Sequence, residues 1–468
     1  MKNDISRRNF LERGICAGTA FSLATPVGAV FGKQALVEDG RPNVLLIFSD
    51  QQHWQAQGSR DPFFDTPNQN QLAKESMVFE RSFCTTPQCS PSRSSLLTGF
   101  YPSTTGVYGN MNAAGGNALK SRTIGSELQD AGYQTGYFGK WHLGDNAVGN
   151  VGWDHSYLKT NDPEAERLAV DFLKNQRKPG KPFALFVSLH NPHDIYHYKK
   201  HKPVGSIDDV PLSASWEGEG FEGKPPIQKE FMESDQGKVI VGKPRDEWQK
   251  YRDCYRAKNK LYDYNVGVIL DELKRQGELE NTVIIVTSDH GDMDTQHKLI
   301  FKGPFMYEHM VRIPLMIRLP KGGAKVAPRR FKDIDVVNVD IAPTIRELCG
   351  LASLESDGIS LAPLFTKPDD YKPREFVIGQ YYSKQRWVNP IRMIRTKDYK
   401  FNRYIRWDDE LYDLKRDPHE LKNLAKDPAY AAVKDDLVQK LEGWIKDHND
   451  PFYSQNVTSR KGVPLGDL

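Results

Sequence analysis

Apolar runs of strand length alternate along the chain with longer amphipathic stretches. Five runs stand out, at residues 43–48, 134–138, 183–189, 282–287 and 313–318. A strand that is buried on both faces reads as an almost continuous apolar run, and helix-length segments separate these runs. The pattern therefore predicts an α/β fold with a large, mainly parallel sheet sandwiched by helices.

Two of these predicted strands end in similar polar residues. The first run leads to Asp50 and Gln51, and the fourth leads to Asp289 and His290. In open α/β sheets, ligands bind just beyond the carboxyl ends of the strands. We therefore expect these four side chains to converge on one site.

Periodicity changes in two later parts of the chain. Residues 199–250 are rich in Lys, Gly, Pro and Glu and show little periodicity, which predicts a long insertion that shapes access to the site. After about residue 370, short strand patterns precede a helical pattern at 431–444. We predict a large domain at 40–370 and a small α+β domain, with an antiparallel sheet and a helix, at 371–468.

The N-terminal residues predict export. Arg7 and Arg8 precede a Phe-Leu pair, and a weakly apolar, Gly/Ala-rich stretch follows from residue 14 to 32. Residues 1–32 resemble a twin-arginine signal peptide, which a bacterial-type twin-arginine export machinery reads as an address. A membrane anchor is the alternative, but the stretch is short for a span and Pro26 interrupts it. The mature chain is then periplasmic or extracellular, with no membrane span.

Net charge limits the classes of binding partner, and the cysteine content bears on disulfide formation. The predicted signal carries four basic and two acidic side chains, so its removal takes the formal charge from +3 to +1. A nearly neutral mature chain argues against nucleic acid or anionic lipid as the main partner. Cys84, Cys89, Cys254 and Cys349 remain, and four scattered cysteines in so long a chain do not form a disulfide framework.

Cys89 precedes a well-marked helix start. Ser90 is a suitable N-cap, Pro91 fits the first helical position, and Gly99 ends the helix. Arg93, four residues on, would share a face with Cys89. The thiol would then lie at a helix N-terminus, which favours an anion, with a guanidinium one turn away. The plainer interpretation is a buried structural cysteine.

The segment at residues 89–99, CSPSRSSLLTG, resembles the signature of the formylglycine-dependent sulfatases, in the alkaline phosphatase-like superfamily. The likeness extends over about residues 41–425. It implies that a formylglycine-generating or radical sulfatase-maturating enzyme oxidises Cys89 to formylglycine. One hydroxyl of the hydrated aldehyde would attack sulfur, and loss of the other hydroxyl's proton would expel sulfate from the sulfated enzyme.

The resemblance also implies a metal site. Asp50, Gln51, Asp289 and His290, together with the residue made from Cys89, would bind a divalent cation, usually Ca²⁺, with Mg²⁺ or Mn²⁺ as alternatives. The sequence departs from the commonest family pattern twice. Gln51 stands where a second Asp is frequent, and His290 stands where Asn is frequent, so the metal's identity stays open.

The segment at 139–144, GKWHLG, resembles the family's Lys-x-His segment. If it is extended, Lys140 and His142 point the same way. The resemblance implies that Lys140 holds the sulfate or the nucleophile and that His142 takes the diol proton. Alternatively, both are ordinary polar side chains exposed to solvent.

Further candidates follow two other predicted strands. His193 matches the family histidine that protonates the leaving alcohol or binds sulfate, with His190 and His197 as rivals. Lys302 matches the lysine that grips sulfate, and Lys298 is its rival. His297 is a candidate substrate contact, or else a solvated loop histidine.

Together these residues predict a sulfuric ester hydrolase that acts on a sulfated carbohydrate. A cation with Arg93, Lys140 and Lys302 would balance a dianionic transition state. A formylglycine-dependent phosphodiesterase or phosphonate monoester hydrolase is the first alternative. The second is a non-catalytic sulfoglycan-binding protein, in which Cys89 stays unconverted.

Overall fold

The computed structural model describes residues 40–145, 152–203 and 205–465. The predicted export signal, residues 1–32, lies outside the described residues and stays a prediction. Within the described ranges, no helix combines the length and the hydrophobicity needed to cross a bilayer.

A large sheet forms the centre of the molecule. Among the described residues it has eight strands: β1 Asn43–Asp50, β2 Met77–Phe83, β3 Gln134–Gly139, β4 His155–Tyr157, β5 Phe183–Pro192, β6 Thr282–Ser288, β7 Leu315–Arg318 and β8 Arg330–Val337. Their order is β4-β3-β5-β1-β6-β7-β2-β8. Neighbouring strands are parallel, except that β7 runs antiparallel to β6 and β2. The predicted mainly parallel sheet is confirmed.

The α-helices of the described chain are α1 Pro67–Lys74, α2 Cys89–Thr98, α3 Pro102–Thr105, α4 Ile124–Asp130, α5 Asp162–Asp171, α6 Ala214–Gly218, α7 Pro226–Ser234, α8 Arg245–Arg275, α9 Glu308–Val311, α10 Ile341–Leu348, α11 Ala362–Thr366 and α12 Ala431–Asp447. A 3₁₀ helix, His193–Lys200, follows β5 directly.

Helices cover both faces of the sheet because alternate residues of a strand point to opposite sides. On β1, Val44 and Leu46 share one core with side chains of α2 and α10. Leu45 and Ile47 share a second core with side chains of α5 and α8. The central strand is therefore buried on both faces, which explains its continuous apolar sequence.

The C-terminal part contains a second, smaller sheet. Its strands are β9 Val377–Lys384, β10 Trp387–Arg395, β11 Tyr399–Tyr404 and β12 Glu410–Asp413, antiparallel in the order β12-β11-β10-β9. Helix α12 lies against β10 and β11. The predicted α+β character is confirmed, and the domain boundary at residue 370 stays a prediction.

The insertion at 199–250 has more regular structure than its sequence suggests. It contains α6, α7 and the first turn of α8. The first two helices are too short to show a helical period. Part of the insertion packs against the small sheet, where Gln228 Nε2 donates to Glu410 Oε1 at 2.8 Å.

Candidate active site

The carboxyl ends of β1 and β6 lie side by side, as expected. The backbone N–H of Asp289 donates to the carbonyl of Ser49 at 3.1 Å. In return, the N–H of Gln51 donates to Asp289 Oδ1 at 3.0 Å. These crossed bonds hold Asp50 and Asp289 at a common, fully buried site.

Helix α2 brings Cys89 to the same place, but it starts two residues earlier than predicted. Its N-cap is Gln88, with extended backbone, so Ser90 lies inside the helix and is not the cap. Pro91 is the third helical residue, not the first as predicted. The N–H of Ser90 instead donates to Asn110 Oδ1 at 3.0 Å, which satisfies a first-turn donor from outside the helix. Gly99 ends the helix with φ +80°, as predicted.

Arg93 lies beneath the site and joins the ends of several strands. Nε donates to Asp289 Oδ2 at 2.9 Å and Nη2 to Asp50 Oδ2 at 3.1 Å. Nη1 donates to the carbonyl of Lys140 at 2.7 Å and to Ser188 Oγ at 2.6 Å. Because the guanidinium makes these four bonds and is fully buried, it orients the carboxylates.

The sulfur of Cys89 is the point on which the polar groups converge. Lys302 Nζ lies 2.8 Å from Sγ, His290 Nε2 3.2 Å and Lys140 Nζ 3.5 Å. Burial alone would raise the pKa of the thiol. The charges of Lys140, Lys302 and His290 and a hydrogen bond from His142 outweigh it and lower that pKa well below its ordinary value.

Four potential metal ligands surround this point. Ligand atoms of Asp50, Cys89, Asp289 and His290 all lie within 4.8 Å of one another. Nδ1 of His290 donates to the carbonyl of Gly291 at 2.8 Å. When the ring is neutral, as a metal ligand must be, this bond leaves the Nε2 lone pair directed at the cluster. Two carboxylates and one imidazole are a suitable set for a divalent cation.

Gln51 and Lys302 complete the surroundings of a cation. Gln51 Oε1 accepts from Lys302 Nζ at 2.9 Å. The same ammonium lies 3.1 Å from His290 Nε2 and 3.9 Å from Asp50 Oδ1. The ligand candidates therefore already accommodate a positive charge among them, and they fit a divalent metal ion.

Lys140 reaches the site because β3 ends close to β5. Gly139 has φ +112°, and a Cβ there would lie 1.9 Å from the carbonyl oxygen of Ser188. Only glycine permits this approach. Lys140 Nζ then forms an ion pair with Asp50 Oδ2.

His142 corrects the expectation of an extended segment. Its φ is +60°, so the backbone turns after Lys140 and the two side chains do not align through strand geometry. The imidazole still lies close enough to Cys89 to contribute to the lowered pKa of the thiol. His142 Nδ1 is buried and has no hydrogen-bond partner in the described part of the chain.

His193 is the histidine that the structure brings to Cys89, at the start of the 3₁₀ helix. Burial and the charge of Lys140 lower the pKa of His193 to about 3. The charge of Asp50 and a hydrogen bond with Cys89 raise that pKa but do not outweigh them. Of its rivals, His197 is exposed. The ring of His190 lies 4.5 Å from that of His193, and its Nε2 is 3.5 Å from Asp194 Oδ1.

His297 is not a solvated loop residue, and its ring is directed elsewhere. It is buried and stacks on Tyr307 with 3.9 Å between ring centres. Nδ1 lies 2.8 Å from Glu219 Oε2. Lys298 Nζ donates to the backbone carbonyl of Glu219 at 2.8 Å, so Lys302 is the lysine that reaches Cys89. This geometry does not favour a substrate contact for His297.

Two residues near the site escaped the sequence-based prediction. Asp292 Oδ2 accepts from Gln51 Nε2 at 2.6 Å, and Tyr251 OH donates to Asp292 Oδ1 at 2.8 Å. Asp292 had a weak signal, because it follows Asp289 in the same strand-end segment. Tyr251 had none, since it lies within the long helix α8.

Comparison with known proteins places these features in context. The family model described as Sulfatase matches residues 42–351, and the model described as N-sulphoglucosamine sulphohydrolase, C-terminal, matches 296–447. The chain is 28% identical over 470 residues to the uncharacterized sulfatase YidJ of Escherichia coli (strain K12), covering 90% of each protein. It is 27% identical over 465 residues to the delta 4,5-hexuronate-2-O-sulfatase of Bacteroides thetaiotaomicron, covering 92% of this chain and 94% of that protein.

A solved structure agrees with the fold. A protein of Bacteroides thetaiotaomicron VPI-5482, provisionally named a sulfatase, superposes with a TM-score of 0.81 at 25% identity. The match covers 90% of this chain and 95% of that one.

Proposed function

Because this chain belongs to the sulfatase family and is a sulfuric ester hydrolase, we propose that it removes sulfate from a sulfated carbohydrate through a formylglycine made from Cys89. The observation that carries the proposal is the convergence of Lys302, His290 and Lys140 on the buried Cys89 sulfur, at the N-terminus of α2. Such a pocket stabilises an anion at that atom.

The proposed nucleophile is made after translation. Conversion replaces the Cys89 thiol with an aldehyde, a two-electron oxidation of Cβ. A formylglycine-generating or radical sulfatase-maturating enzyme would supply the oxidant. The hydrated aldehyde then provides one hydroxyl to attack sulfur and a second whose deprotonation releases sulfate and restores the aldehyde. Water rehydrates it, so one water is consumed for each ester cleaved.

Two histidines of this chain would move the protons. His142 lies close enough to residue 89 to lower the pKa of the Cys89 thiol, so we assign it to accept the proton of the second hydroxyl. His193 contacts the same side chain and is neutral when the site is free, because its pKa is about 3. The negative charge of a bound sulfate ester would raise that pKa, which suits His193 to protonate the leaving alcohol or to hold the sulfate.

Cations would hold the sulfate group. We assign Asp50, Gln51, Asp289 and His290, with residue 89, to a divalent metal ion, for which Ca²⁺ is our first choice. When bound, such an ion polarises sulfate and hydroxyl oxygens as a Lewis acid. The ammonium groups of this chain, on Lys140 and Lys302, would balance the remaining negative charge.

A carbohydrate is the proposed substrate because one relative named above is a hexuronate sulfatase. We further propose a catalytic domain at 40–370 and a small domain at 371–468. Residues 1–32 would direct the chain through the twin-arginine route to the periplasm or beyond.

Sulfate release from a panel of sulfated mono- and oligosaccharides tests the activity, with an aryl sulfate and an aryl phosphodiester in parallel. We expect release from at least one sulfated sugar. Faster turnover of the phosphodiester under matched conditions would instead favour the phosphodiesterase alternative. Mass spectrometry of the peptide containing Cys89 tests the nucleophile, since conversion removes roughly 18 Da. An unshifted peptide from active enzyme contradicts the covalent mechanism.

A further inference from the structure

We propose that Asp292 is a positioning residue of the metal site, which fixes the amide of Gln51 so that its oxygen faces the cation. The inference rests on the metal site proposed above. Asp292 is outside the cluster of candidate ligands. Its carboxylate touches that cluster through Gln51, at 2.6 Å between Oδ2 and Nε2.

The Gln51 amide lies between two unlike charges. Its nitrogen donates to Asp292, while its oxygen accepts from Lys302 Nζ at 2.9 Å. A carboxylate only accepts hydrogen bonds, and an ammonium only donates them. A reversed amide would place nitrogen against the ammonium and oxygen against the carboxylate. The two neighbours therefore permit a single orientation, with Oε1 directed at the site.

Asp292 cannot follow a rotating Gln51, because its own carboxylate is held. It is fully buried. Tyr251 OH lies 2.8 Å from Oδ1 and 3.0 Å from Oδ2, and the N–H of Asp294 donates to Oδ1 at 2.7 Å. Tyr251 OH also accepts from the N–H of Phe301 at 2.8 Å. One hydroxyl therefore connects Asp292 to the segment that carries Lys302.

The Asp292 carboxylate also changes the electrostatics of the Gln51 amide, which lies between it and the Lys302 ammonium. Gln51 is uncharged, whereas Asp50 and Asp289 are carboxylates. A negative charge behind the amide nitrogen polarises the amide and makes its oxygen a stronger ligand. Partners that orient a metal ligand in this way typically contribute about 10- to 100-fold in metal affinity.

Calorimetric titration of the full chain with CaCl₂, and separately with MgCl₂, measures this contribution. All titrations are run in the same buffer and at the same pH. Asp292→Leu removes both charge and acceptor, so we expect Kd to rise about 10- to 100-fold. Asp292→Asn keeps an acceptor oxygen and should weaken binding less. Asp263→Asn is the matched control, because Asp263 is equally buried but holds the start of α1. Its Kd should be unchanged.

The same substitutions in a Gln51→Glu background distinguish a positioning role of Asp292 from a role in folding. Gln51→Glu sets a carboxylate against Asp292, so in that background Asp292→Asn should strengthen metal binding. A purely structural Asp292 would give the same sign in both backgrounds, or no change, and either result overturns the proposal. These Asn variants decide the outcome if Asp292→Leu does not fold. Wild-type protein that binds neither ion would overturn both the positioning role and the metal site. Sulfate release from the same samples tests the proposed activity separately.

Discussion

Two buried ionic networks in this molecule differ in what their charges face. The Cys89 network consists of Asp50, Cys89, Arg93, Lys140, Asp289, His290 and Lys302. The Glu308 network consists of Glu308, Arg395, Lys400 and Glu420, where α9 meets the small sheet. All of these residues are buried. Burial of charge alone therefore does not identify a catalytic site.

In the Glu308 network the charged groups face one another. Arg395 donates to both oxygens of Glu308, at 2.9 and 3.1 Å. Lys400 Nζ lies 2.6 Å from Glu420 Oε1 and 3.0 Å from Glu308 Oε1. Arg312 Nη1 also lies 3.5 Å from Glu308 Oε2, and Asp335 Oδ1 lies 3.9 Å from Arg395 Nη1. Every cation here therefore faces a carboxylate. Removal of one partner from such a buried pair strongly destabilises a protein. We therefore interpret this network as structural.

The Cys89 network has three permanent cations and two carboxylates, and two of its ammonium groups face one sulfur. The surplus positive charge needs a further anion, which a thiolate or a sulfate group supplies. We therefore expect substitutions in the Cys89 network to change turnover and substitutions in the Glu308 network to change stability.

The largest expected effect tests the Cys89 network directly. Cys89→Ala should lower kcat by roughly 10⁶-fold, as loss of the nucleophile does in another covalent enzyme. The fold should persist, because Cys89 supports no disulfide and the sheet does not depend on it. Cys254→Ala, which removes another buried free thiol, is the control and should keep activity. Wild-type turnover by Cys89→Ala would exclude the proposed nucleophile.

The next effect concerns the proton acceptor. His142→Ala should slow turnover by about 10³-fold, within the range for general bases. The attack step would still proceed, so enzyme carrying a sulfo group should accumulate and be visible by intact mass. The double variant Cys89→Ala/His142→Ala should lack that adduct. A slow His142→Ala enzyme without an adduct would show that this histidine acts at another step.

A matched pair of buried lysines compares the two networks in one experiment. Lys302→Met should lower kcat/KM by about 10²- to 10³-fold, the effect of losing one oxyanion donor. Its stability should change little, because Asp50 keeps its contacts with Arg93 and Lys140. Lys400→Met leaves Glu420 without its cation and should lower the free energy of unfolding by about 3–5 kcal/mol.

Denaturant unfolding and kcat/KM are measured on both lysine variants. The folded Lys400→Met enzyme should keep its specific activity. If both variants lost activity and stability alike, the division into a catalytic and a structural network would be wrong.

Much of the fold could be predicted because the central strands are apolar on both faces. Strands β1, β3, β5 and β6 were predicted to within three residues. Strands β2 and β8 were not, because both carry charged residues and lie towards one edge of the sheet. Arg81 on β2 pairs there with Asp335 on β8 at 2.6 Å, a partnership that no local pattern indicates.

The site was predictable where strand ends determine it and less so elsewhere. The convergence of Asp50 and Asp289 follows from two neighbouring parallel strands. The turn at His142 and the contacts of His297 with Glu219 depend on backbone conformation and on distant segments. The same holds for Asp292. Its partners Gln51 and Tyr251 lie 241 and 41 residues away in the chain.

The smallest expected effect distinguishes His193 from His197, which lie in the same 3₁₀ helix. His193→Ala should lower kcat by about 10²-fold, the lower end of the range for general acids. We expect the lower end because the His190 ring, 4.5 Å away, can partly replace it. His197→Ala should leave kcat unchanged, since His197 is exposed. The loss in His193→Ala should be larger for sulfated sugars than for an aryl sulfate, whose phenolate leaves without a proton. Equal losses on both substrates would instead assign His193 to sulfate binding.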